Sequence, residues 1–196
     1  MPKKHFLDQA QLETLTSPIR LAIVQRLEMD GQATARELAE RLGRPVTALY
    51  HHLKQLEDIG LLRAVAERKG TRRPQAVYAL PGYLSSAEAV RTRQGRKAYS
   101  RAAARVADAG ARAFSAAAAK GSPRFDGEYR NLMVRYFLLR ADKKKLARLN
   151  KLLDSLEDAL AHSCEDGEEI QLTVLLSPVL RKDQANASPD RSSRRR

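Results

Sequence analysis

The sequence predicts a mainly α-helical protein with a small β-hairpin wing: a winged helix-turn-helix unit followed by a helical region. Three observations lead there. Short amphipathic segments before residue 60 open on Pro or a capping residue and close on Gly. After Gly60 the apolar period changes from helical to alternating. Beyond residue 84, long alanine-rich and leucine-rich stretches return to helical spacing.

Each element has its own signal. Residues 8–15 predict a short helix, weakly marked. "TSPIRLAIVQRLEMDG" predicts a clearer one, with Ser17 as cap, Pro18 at the first helical position and Gly31 as its end. Its expected stripe is Ile19, Ala22, Ile23, Arg26 and Leu27. In "TARELAERLG", Thr34 and Glu37 form a T-x-x-E capping box, Leu38 and Leu42 face inward, and Gly43 stops the helix. Arg44 and Pro45 alone separate it from "PVTALYHHLKQLEDIG", whose Leu49, Leu53, Leu56 and Ile59 share one face. Two short helices joined by a tight turn with Gly make a helix-turn-helix. "LLRAVAE" and "AVYAL" read as strands, and "RKGTRRPQ" between them makes a hairpin with a basic tip.

Residues 85–119 predict a long helix capped by Ser85 and Glu88. Ala98, Ala102, Ala109, Ala113 and Ala117 line one face with Val106 and Phe114. Gly95 and Gly110 weaken it by up to about 1 kcal/mol each relative to Ala. "NLMVRYFLL" reads as strand or helix. Asp142 caps a helix to about residue 162, with Leu146, Leu149, Leu153, Leu156 and Leu160 as a seam. "EEIQLTVLLSP" alternates like a strand, so a small strand–helix–strand unit is expected, within or between subunits. The divisions are residues 1–84, 85–180 as a dimerisation and effector region, and a disordered basic tail at 181–196.

The 196 residues carry 36 Lys and Arg against 23 Asp and Glu, a net charge of +13. Such an excess fits a polyanion such as nucleic acid. Residues 85–130 and the tail are the most basic, whereas 131–180 is near neutral, as a protein-contact region would be. No apolar run is long enough to span a membrane and no apolar signal core follows "MPKKHFLDQ". The one cysteine, Cys164, excludes an internal disulfide framework and fits a reducing cytoplasm, with the protein on the nucleoid.

The stretch from "SPIRLAIVQRL" through "T-x-x-ELAERLG" and "HHLKQLEDIGLL" to the hairpin ending "VYAL" resembles the winged helix-turn-helix of ArsR-type bacterial transcriptional regulators. The resemblance covers about residues 10–84 and thins beyond. It implies a homodimer on double-stranded DNA, with the helix at 45–59 in the major groove. With the leucines inward, Thr47, Tyr50, His51 and Lys54 project outward to bases or phosphates, and Ala48 allows close approach. Arg44 reaches phosphate, and Arg68, Lys69, Arg72 and Arg73 of the wing lie on the backbone or in the minor groove. A merely solvated polar face is the blander reading.

Other chemistry is weakly signalled. Metal-sensing members of this family commonly carry paired cysteines at the start of this helix, and here there are none. His51 and His52 lie about 100° apart around a helix axis, a poor spacing for sharing one ion. His51 is expected on the DNA face, and His52 at the core edge with a hydrogen bond from its ring. "AHSCED", with His162, Cys164, Glu165 and Asp166, has zinc-compatible residues in no strong spacing, so no metal or other cofactor is expected. Enzyme motifs are missing, so no catalytic residues are assigned. Tyr99, Phe114, Tyr129, Tyr136 and Phe137 belong either to ordinary core or to a pocket for a small-molecule effector. Two other functions compete: an architectural protein coating DNA without sequence preference, and a winged-helix module that binds proteins.

Overall fold

A computed structural model describes residues 4–69, 74–85, 88–160 and 167–179. The chain runs β1 (Lys4–Phe6), α1 (Gln9–Thr14), α2 (Pro18–Asp30), β2 (Gln32–Thr34), α3 (Ala35–Arg41), α4 (Val46–Asp58), β3 (Arg63–Arg68), β4 (Gln75–Ala79) and β5 (Tyr83–Ser85). A 3-10 turn at Ala89–Arg91 leads into α5 (Arg93–Lys120), and α6 (Lys143–Leu160) follows. The expected class holds: the protein is mainly helical, with a winged helix-turn-helix and a helical region after it.

Local chemistry explains the first half. Asp8 caps α1 by accepting from Gln11 N, and Gln11 returns the bond to Asp8 N. Pro18 opens α2 and Gly31 closes it at φ 73°, but the Ser17 side chain makes no capping bond. Thr34 and Glu37 form the expected capping box on α3. Gly43 turns the chain at φ 59°, a conformation that favours glycine, and lets Arg44 N bond Ala39 O at 2.9 Å. The three-stranded sheet has the order β2-β4-β3, all antiparallel, and β3 bulges between Ala64 and Ala66.

The core lies among α1 to α4 and the sheet. Ile23, Leu27, Leu38, Leu49, Leu53, Leu56, Leu61, Leu62 and Val77 are its largest fully buried side chains. On α2 the buried set is Leu21, Ile23, Val24 and Leu27; of the expected stripe only Ile23 and Leu27 belong to it, and Ile19, Ala22 and Arg26 are partly exposed. The helix packs against α4, β2 and α5, which turns its buried face toward Leu21 and Val24. Gln11 is the buried polar residue that the apolar pattern passed over. It donates to Ile59 O at 2.8 Å and so ties α1 to the end of α4.

The second half departs from expectation in three places. Ser85 does not cap a helix; it belongs to β5, which pairs in parallel with β1. Thr92 caps α5 instead, accepting from Gly95 N at 2.9 Å. Tertiary pairing with residues 4–6 wins over the local S-x-x-E signal. On α5, Gly95, Ala98 and Ala102 are buried, whereas the rest of the expected alanine face is partly or fully open.

Of the strand–helix–strand unit, only the helix forms within the single chain. Asp142 caps it through Lys145 N at 2.7 Å. Residues 131–141 and 167–179 take no regular structure. A strand needs a ladder partner, and among the described residues neither segment pairs with one. The second segment is held by side chains. Arg26 grips Glu169, Arg124 and Asn131 bond Glu168, and Thr173 lies over Gly110 of α5.

Candidate nucleic-acid interface

The face of α4 is set by its leucines. Leu49, Leu53 and Leu56 are buried at 1% exposure or less, which turns Thr47, Ala48, Tyr50, His51 and Lys54 to solvent. Tyr50 is 54% exposed, so its ring and hydroxyl stand open on this surface. Lys54 pairs with Asp58 one turn on at 2.8 Å, and this carboxylate raises the lysine above its ordinary pKa. Arg44 is exposed in the turn that leads into α4. These six candidate residues therefore share one open surface at the helix and its entry.

The two histidines part company. Their ring centroids lie 5.7 Å apart at 60°, edge to face. His51 is exposed; His52 is half-buried. The expected hydrogen bond from the His52 ring is corrected in part, because its buried Nδ1 has no protein partner among the described residues. Burial lowers the His52 pKa, and the positive charge of Arg20 and the neighbouring His51 lower it further. Arg20 is held in place by Thr14 O at 2.8 Å and by Gln55 Oε1 at 2.6 Å. Gln55 is thus a positioning contact between α2 and α4 that periodicity alone did not mark.

The wing is more tied down than its sequence indicates. Arg68 donates to Glu37 Oε1 at 2.7 Å, linking the end of β3 to the capping box of α3. Bonds from Thr34, then the charges of Arg68 and Arg41, hold the Glu37 carboxyl below its usual range. Lys69 is exposed just beyond β3, and Arg63 adds an exposed cation at the start of that strand. Sequence reading missed Arg63 because it weighed only the hairpin tip. Arg72 and Arg73 lie outside the described residues.

Residues 15–65 match the family model of a helix-turn-helix domain. The match spans the end of α1 to the start of β3, the segment that builds this surface. No curated protein matches the chain. Among solved structures, a MarR family regulator from Neisseria meningitidis is similar at 18% identity, over 72% of this chain and 74% of that one, with a TM-score of 0.30. The family match supports a helix-turn-helix domain over these residues, and the ArsR-type resemblance gains no separate support.

The remaining candidates fare differently. Tyr99, Phe114, Tyr129, Tyr136 and Phe137 are all exposed, Tyr136 at 85%, so within one chain they form neither core nor a closed pocket. Among the described residues no group of His, Cys, Asp and Glu converges as a metal site. His162, Cys164, Glu165 and Asp166 lie outside those residues. No described helix is long and apolar enough to cross a membrane.

Proposed function

We propose that the protein is a sequence-specific DNA-binding transcriptional regulator that acts as a homodimer. The observation that carries this reading is the pattern on α4. Three leucines are fully buried, and Thr47, Ala48, Tyr50, His51 and Lys54 stand open on the other side, with Arg44 at the entry. A helix of this kind fits the major groove, where Tyr50 and His51 offer donors and acceptors to base edges. Arg44, Lys54 and the wing residues Arg68, Lys69, Arg72 and Arg73 supply charge for phosphates or the minor groove.

Two such helices related by a two-fold axis read half-sites about one helical turn apart, roughly 34 Å. Residues 1–84 form the DNA-binding part, 85–180 the part for dimerisation and any small-molecule effector, and the basic tail from 181 adds charge. The protein works by binding rather than catalysis, on the cytoplasmic nucleoid. The resemblance to ArsR-type regulators, over about residues 10–84, supports this reading.

Selection of bound fragments from genomic DNA tests it, with chelator and added metals as parallel conditions. Enrichment of a common motif supports sequence-specific binding. Equal recovery of all fragments points to an architectural DNA-coating protein, and no recovery points to a module that binds proteins.

A further inference from the structure

We propose that residues 167–179 form an inhibitory strap, docked on the helix-turn-helix through Glu169, and that its release strengthens binding to duplex DNA. The inhibitory role rests on the DNA-binding reading; the docking does not. Three side-chain attachments hold the strap. Arg26 of α2 donates to both carboxylate oxygens of Glu169, at 2.8 and 2.7 Å. Arg124 and Asn131 donate to Glu168 at 2.7 and 2.6 Å. Thr173 lies over the bare backbone of Gly110 in α5. The apolar side chains beside these attachments stay out, since Ile170, Leu172, Val174, Leu175 and Leu176 are all exposed. Neither burial nor a ladder among the described residues fixes the segment. Exposed ion pairs hold weakly, so docked and released forms lie close in free energy.

The docking point is wired into the DNA-binding half by charge. Arg26 also bonds Asp30 at 2.9 Å, and Asp30 pairs with Arg41 at the end of α3. Arg41 stands near enough to Glu169 to help hold that carboxyl below its usual range, and it acts on Glu37 in the same way. Glu37 in turn holds Arg68 of the wing. Charges of alternating sign therefore run from strap to wing: Glu169, Arg26, Asp30, Arg41, Glu37 and Arg68. Asp30 alone balances one of the two arginines, and the docked Glu169 carboxylate balances the other. Docking thus removes one positive charge from the field that a duplex meets at the helix-turn-helix, and release restores it. Duplex affinity then scales with the released fraction of the chain.

The chain has no tryptophan, so Gln171→Trp in the full chain puts a single reporter on the strap, at an exposed position. Its fluorescence anisotropy reads docking, and affinity for one duplex at fixed salt reads the consequence. Three changes are then made in this background. Glu169→Gln weakens the fork. Gly110→Ala places a Cβ 2.5 Å from Thr173 Oγ1 and pushes the strap away with no change of charge. Gly110→Ala with Thr173→Gly makes room for the strap again. Glu169→Gln and Gly110→Ala are each expected to lower the anisotropy and to tighten duplex binding by about threefold, the scale that an exposed pair sets. The combined Gly110 and Thr173 change should return both readings to the parent values. Tightening confined to Glu169→Gln would reduce the effect to a lost charge and overturn the strap. Lower anisotropy without tighter binding, or no change in either reading, overturns it too, while DNA binding by the parent stands. A parent that binds no duplex overturns the DNA-binding reading and the inhibitory role together.

Discussion

Arg26 of α2 donates two hydrogen bonds to Glu169, from Nη1 at 2.8 Å and from Nη2 at 2.7 Å. One fork joins the helix-turn-helix core to a segment 143 residues downstream. Arg26 also bonds Asp30 at 2.9 Å, and Asp30 pairs with Arg41 of α3. Glu169 is 62% exposed, so the fork sits near water and each charge is screened. Its hydrogen bond to Arg26 holds the Glu169 carboxyl below its usual range. A carboxylate with a lowered folded pKa stabilises above its unfolded pKa, and that contribution fades as pH falls through the folded value. Glu169→Gln should therefore cost no more than about 1 kcal/mol at pH 7, with the difference from the parent closing in acid. Urea unfolding at several pH values measures it.

His51 and His52 give a paired prediction. His51→Ala should weaken binding to a selected site by about 1–3 kcal/mol with little change in unfolding, as expected for a base or phosphate contact. His52→Ala should leave the binding preference intact and lower stability by about 1–2 kcal/mol. His52 also carries a pH signature. Its folded pKa is lowered, so the unfolded chain takes the proton first and stability falls as pH drops below about 6.5. His52→Leu should flatten that fall, because the leucine has no proton to gain and leaves no unpaired Nδ1. Denaturant midpoints between pH 5 and 8 decide it.

Gly95 and Gly110 should respond differently to alanine. A Cβ at Gly95 would run into the Ala89 carbonyl of the preceding turn and lie 2.9 Å from Thr92 Oγ1. Backbone cannot step aside cheaply, so Gly95→Ala should destabilise by about 1–3 kcal/mol despite alanine's better helix propensity. At Gly110 the added Cβ meets the Thr173 side chain at 2.5 Å, on an extended segment. Gly110→Ala should cost less, and a further change of Thr173 to Gly should remove most of that cost. Thermal unfolding of the three variants compares them.

Thr34→Ala removes the α3 cap and should cost about 1 kcal/mol. It also loosens Glu37, which holds Arg68. Glu37→Gln should free that arginine and remove a negative charge beside the wing. Binding to any duplex should then strengthen and fall more steeply with salt. A salt titration of duplex binding checks the slope.

The first half of the fold was legible because its signals are local. The Thr34–Glu37 box, the Pro and Gly boundaries and the Leu49–Leu53–Leu56 face each act within a few residues. What escaped depends on distance along the chain. Gln11 is buried because Ile59 O is there to receive it, and Ser85 is a strand because residues 4–6 pair beside it. Arg68 turned from a wing cation into a partner of Glu37 for the same reason. The open face of α4 was readable once the leucines were assigned inward. The segment "EEIQLTVLLSP" was read as a strand, and "NLMVRYFLL" as strand or helix, because alternation and apolar content mark a segment but do not supply its ladder or its packing partner.

The central claim is that α4 reads base sequence. The most direct measurement compares affinity for one selected genomic site with that for a scrambled duplex of equal length, at fixed salt, for the parent and for a Tyr50→Ala, His51→Ala, Lys54→Ala triple variant. The parent should prefer the selected site by about a thousandfold or more, and the variant should lose most of that preference while keeping its affinity for the scrambled duplex to within about tenfold. A parent that binds both duplexes equally, or a variant whose preference is unchanged, would contradict the claim.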